Sequence, residues 1–187
     1  MARRTRIAAL LGTGALLIAA PVHAGSTDAT FEVSGSETLY ISVPNSGVDF
    51  GQGAAGASVG GALGDVTVTD ERSNLLATWT AQVNATDFLL VDEAIDGEHP
   101  DEAVVTTDDI TYDPGTVALV LGSVTGDGLN AGTPGAIGEG RIAATFVGIG
   151  NNEVSWNPDV TFDLDASQVR GVYEGTITHS VTADLLD

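Results

Sequence analysis

The chain has no cysteine and no lysine. Without cysteine there can be no disulfide and no thiolate metal cage, so the fold must rest on its core alone. Basic charge is equally scarce, six arginines in 187 residues, and three of them stand at Arg3, Arg4 and Arg6. Past residue 24 only Arg72, Arg141 and Arg170 face 26 acidic residues, a formal charge of −23 with histidine neutral. A body so acidic repels nucleic acid and anionic lipid, and neither is expected as a partner. Aromatic residues are few, and no stretch past the leader sustains a helical period. An α-helical core is therefore excluded.

The leader itself is legible. Three arginines precede an apolar run at 7–20, and Pro21-Val-His-Ala24 offers small or aliphatic residues at the −3 and −1 positions. This pattern predicts a secretory signal peptide over 1–24, helical in its apolar part and cleaved after Ala24. The run is too short and too glycine-interrupted for a good spanning helix, and no membrane insertion is expected once it is removed. Arg3-Arg4 alone does not make a twin-arginine signal. With no cysteine for a lipid and no sortase-type or membrane tail, any attachment to a cell is expected to be non-covalent.

Residues 25–187 read as one domain, large enough for a real core. Its strongest pattern is the last stretch. Tyr173, Gly175, Ile177, His179 and Val181 alternate with Glu174, Thr176, Thr178, Ser180 and Thr182. One mostly apolar parity against one polar parity predicts a strand with a buried and a wet face. Leu39, Ile41 and Val43 show the same period, as do Val66 and Val68. So do Ala77, Trp79, Ala81 and Val83, and later Ile142, Ala144 and Phe146. Val154, Trp156, Val160, Phe162 and Leu164 continue it, with Pro158 predicting a bulge or an edge. Short strands are expected at 88–91 and 110–112. The run at 117–121 predicts a strand buried on both faces. Residues 51–64 and 122–140, rich in glycine, read as an irregular edge or loop and as a long connection. Many short strands with turn-rich gaps predict an all-β fold, a single antiparallel β-sandwich of the immunoglobulin-like or Greek-key type.

Motifs that would carry chemistry fail on context. Gly51-Gln-Gly53-Ala-Ala-Gly56 spells a dinucleotide fingerprint, but no helix follows to receive a pyrophosphate. Gly56-Ala-Ser58-Val-Gly60 spells a nucleophile elbow, which needs a strand-to-helix turn that this chain cannot build. The segment Asp92-Glu-Ala-Ile-Asp96-Gly97-Glu98 suggests a calcium loop, yet it lacks an oxygen ligand at its third position and places Ala103 at the twelfth. A solvated acidic face is the preferred reading. His99 and His179 are too few and too far apart for a transition-metal site. No cofactor, metal or catalytic residue is assigned, and no enzyme is expected. Trp79, Trp156 and Phe162 share the apolar parity, so core packing is preferred over ligand stacking. His179, also inward, reads as a hydrogen-bonded interior residue.

The strand patterns resemble a known family. Tyr173, Ile177, Thr178, His179 and Val181 are similar to the distal motif of WxL-domain cell-surface proteins, Tyr-x-x-x-Leu-Thr-Trp-x-Leu followed by Pro. Here His179 takes the place of the motif Trp, Val181 that of Leu, and Leu185 that of Pro. Asp70-Glu-Arg72, then Trp79-Thr80, Val83 and Asp87-Phe88, resembles the family's Asp-x-Arg and first Trp strand. Residues 41–44 and 50–51 resemble the strand that opens the domain. The likeness is to a divergent, stand-alone exported member from high-GC Gram-positive bacteria. It implies a β-sandwich held non-covalently at the cell wall through peptidoglycan, often beside other surface proteins. Asp70, Arg72, Trp79, Tyr173, Ile177, His179 and Val181 are the positions it singles out, for binding or for structure. The reading is therefore a secreted, non-catalytic, envelope-associated protein, with a freely secreted ligand-binding or calcium-stabilised module as the alternative.

Overall fold

The structure, a computed structural model, describes residues 30–32, 36, 38–44, 47–91 and 100–184. The leader, the 92–98 segment with His99, and Leu185 lie outside these residues. The described chain past residue 33 is all-β. Its strands are β1 (Leu39–Ser42), β2 (Ser58–Ala62), β3 (Val66–Asp70), β4 (Ala77–Ala85), β5 (Phe88–Leu90), β6 (Val104–Val105) and β7 (Ile110–Asp113). They continue as β8 (Ala118–Ala131), β9 (Gly135–Ala136), β10 (Arg141–Trp156), β11 (Asp159–Asp163), β12 (Tyr173–Glu174) and β13 (Ile177–Ala183). Single 3-10 turns at Asp101–Ala103 and Thr107–Asp109 are the helical elements among the described residues.

All pairings are antiparallel. The larger sheet is built on β10, a 16-residue strand. β4 pairs with β10 over 141–148, β3 pairs with it over 152–156, and β8 runs along its other flank. β13 and β1 pair outside β4 and β3. The second sheet has the order β2-β11-β7-β9, and a small third sheet the order β12-β5-β6. One continuous core fills the space between them. Val66, Val68, Trp79, Ala81, Val83, Phe146, Val154 and Trp156 come from the first sheet, and Ile110, Tyr112, Val160 and Phe162 from the second. These are the inward parities of their strands, so period-two patterning produced the sandwich-like packing.

The alternation of the last stretch holds, with His179 buried and every residue of the polar parity exposed. It is two strands, however. Tyr173 and Glu174 pair with β5, whereas Ile177 onward pairs with β4. Gly175 marks the switch, because a side chain there would run into the Phe88 ring. Pro158 is a corner, not a bulge within one strand: β10 ends at Trp156 in the first sheet and β11 begins at Asp159 in the second. Residues 58–62, in the stretch read as irregular, are the regular edge strand β2.

Two expectations are overturned. The run 117–121 is not buried on both faces, since Val120 is 59% and Leu121 60% exposed on the edge strand β8. Nor is 122–140 a connection, because β8 extends to Ala131 and β9 follows. Gly122, Gly126 and Gly128 sit within β8, which shifts register three times against β10. Gly122, at φ +111°, lies where a β-carbon would meet Asn151 and Asn152 across the pair. Such a backbone is open only to glycine.

Candidate functional site

Three of the singled-out residues meet in one buried network. Asp70 closes β3 and has almost no exposed surface. Arg72 curls back on it, its Nε donating to Oδ1 at 2.9 Å and its Nη2 to Oδ2 at 2.8 Å. The Arg72 backbone N–H also donates to Oδ1, at 3.0 Å, and Nη2 reaches the Thr78 carbonyl on β4. Asn152, buried on β10, donates to Asp70 Oδ2 at 3.3 Å and accepts the Trp79 indole N–H at 3.0 Å. Asp70, Arg72 and Trp79 thus tie β3, β4 and β10 together. Burial pushes the Asp70 carboxyl up, but the hydrogen bonds and charge of Arg72 outweigh it and hold the group below its ordinary value. The same carboxylate raises the Arg72 guanidinium. Both Asp70 oxygens, the Asn152 amide and the Trp79 indole N–H are engaged in holding strands.

His179 belongs to a second network, which joins β13, β7 and β10. The Trp156 indole N–H donates to the Tyr112 hydroxyl at 2.9 Å, and that hydroxyl lies 2.9 Å from His179 Nε2. Indole can only donate, so the Tyr112 oxygen is an acceptor toward Trp156 and must place its own hydrogen elsewhere. Among the described residues, His179 Nε2 is its one available acceptor. Donation from Trp156 to Tyr112 to His179 gives the hydroxyl proton a partner and leaves the imidazole proton on Nδ1, whereas a proton on Nε2 would leave the hydroxyl proton unpaired. Burial, with no charged partner, lowers the His179 pKa to about 4, and the ring is neutral near neutral pH. Burial also pushes the Tyr112 phenol up to about 12, against the opposing hydrogen bond from Trp156.

The other face of His179 lines a cavity of about 280 Å³ at one end of the sandwich. Val43, Pro44, Val48, Phe50, Leu63, Phe88 and Ile177 give it apolar walls. Phe50 and Phe88 both pack on Phe162, with ring centroids 5.1 and 4.7 Å away, so these walls are fixed to the second sheet.

The remaining singled-out residues go elsewhere. Tyr173 donates its hydroxyl to the Val169 carbonyl at 2.6 Å and receives Gln168 Nε2 at 2.9 Å, which fastens the third sheet. Ile177 stands on the cavity wall. Val181 is half-buried opposite Ala81 of β4. The seven positions therefore divide among separate clusters and do not converge on one site. Ser58 Oγ donates to Asp163 at 2.6 Å on the exposed edge of the second sheet, with no elbow around it. Tyr112 and Asn152, central to the two networks, escaped the sequence reading. Both sit on inward parities, but their partners lie 67 and 73 residues away.

The outer face of the first sheet carries a different feature. Ile142, Val147 and Ile149 of β10 are 48%, 36% and 49% exposed, and the neighbouring β8 exposes Val120 and Leu121. Comparison with protein-family models, with curated proteins and with solved structures finds no match for the chain.

Proposed function

We propose that the protein is a secreted, non-catalytic module that associates with the cell envelope, through peptidoglycan or a surface-protein assembly. The leader pattern and the two-ended resemblance to WxL-domain proteins support it. The observation that carries the binding role is the exposure of apolar residues on β8 and β10. On so acidic a body, several large apolar residues exposed on two paired strands are the feature that favours a contact surface. The motif residues Asp70, Arg72 and Trp79 are engaged in the interior, so contact falls to these exposed residues.

The test is co-sedimentation of the mature chain with purified Gram-positive peptidoglycan across a salt series. The proposal expects saturable pelleting that persists at high salt, since the contact is apolar. Pelleting no greater than that of an equally acidic control protein would contradict it. The alternative, a freely secreted ligand-binding module, draws its own support from the cavity beside His179.

A further inference from the structure

We propose that the cavity beneath His179 is a binding site for a small, mostly apolar molecule carrying one neutral hydrogen-bond acceptor, such as a ketone, ester or amide carbonyl. The proposal rests on the ligand-binding reading and stands apart from envelope attachment. Its first support is shape and lining. The volume is at the low end of small-molecule sites, roughly 300 Å³, and seven of the lining side chains are apolar. Gly175 also lines it, which keeps the floor free of a side chain.

The second support is the direction of the hydrogen-bond chain. With the Tyr112 hydroxyl accepting from Trp156 and donating to Nε2 of His179, the ring offers an N–H at Nδ1. Nothing among the described residues accepts from it. His179 lines the cavity, and this N–H is the donor that its ring has left to give. A carbonyl oxygen in the cavity would satisfy it while the apolar walls cover the rest of the molecule.

The same features select against other ligands. A carboxylate or phosphate would enter a pocket in a body whose residues 25–187 carry a formal charge of −23, with no cation among the lining residues to receive it. A cation would meet a donor in place of a lone pair. The neutral acceptor remains.

The experiment is NMR on isotope-labelled mature chain, titrated with benzylacetone and with butylbenzene, its counterpart lacking the carbonyl. The free protein should show the His179 proton on Nδ1. Benzylacetone should shift that proton, the Thr176 amide and the Ile177 methyls saturably, and bind about tenfold tighter than butylbenzene, the upper range for one hydrogen bond. Val48→Trp, which fills the half-open mouth without touching the Trp156–Tyr112–His179 chain, should abolish both titrations while the protein stays folded. A proton on Nε2, equal affinity for the two probes, no saturable shift, or unchanged binding in V48W would each overturn the proposal. None of these outcomes bears on sedimentation with peptidoglycan, so the two readings fail separately.

Discussion

Asp70 and His179 respond to burial in opposite ways. Asp70 keeps its charge because Arg72 clasps it. Removing that carboxylate would leave a guanidinium and the Asn152 amide without their acceptor, so Asp70→Ala should destabilise the fold by about 3 kcal/mol. Urea denaturation followed by Trp fluorescence measures this, and a loss below about 1 kcal/mol would mean that the clasp is a surface pair in effect. His179 instead stays neutral. Its folded pKa, about 4, lies below the ordinary value of 6.5, so the unfolded chain takes up the proton first as pH falls. The stability its neutrality provides is thus whole above pH 6.5 and lost progressively toward pH 4. The loss amounts to about 3 kcal/mol across that window. His179→Gln should flatten this part of the stability profile, measured as urea midpoints at several pH values. An equally steep profile in the variant would place the effect elsewhere.

Among the elements, the strands with a repeating inward residue were legible because their burial follows from parity alone. β3, β4 and the inner face of β10 are of this kind. β8 was not, for two physical reasons. An apolar run such as Val117 to Leu121 says nothing about whether a neighbour covers it, and here nothing among the described residues covers the outer side. Glycines at 122, 126 and 128 look like a loop, but they occupy the register shifts of a long strand against β10. Gly122→Val should test that assignment. With φ +111° and Asn152 across the pair, the variant should lose about 2 kcal/mol. Hydrogen-exchange protection should fall over 118–123 but persist where β4 meets β10. Uniform protection in the variant would show that the shift needs no glycine. The site was legible only in part. The inward slot of His179 followed from alternation, whereas its ties to Tyr112 and Trp156 arise from two sheets meeting face to face, which no local pattern encodes.

For the whole molecule, the divided placement of the motif positions shapes the functional account. Asp70, Arg72 and Trp79 lock the first sheet, Tyr173 fastens the third, and His179 joins the first sheet to the second. Replacing Trp79 therefore tests folding, not contact. The surface proposed for a partner is the exposed apolar residues of β8 and β10, and exposed positions of this kind change stability by less than about 0.5 kcal/mol when made polar. Leu121→Ser combined with Ile149→Ser leaves every buried network intact. The decisive measurement is the co-sedimentation isotherm of that double variant on peptidoglycan beside the unaltered chain, with thermal midpoints measured in parallel. The account predicts matching midpoints and at least a fivefold loss of binding. Undiminished binding by a folded double variant would contradict it.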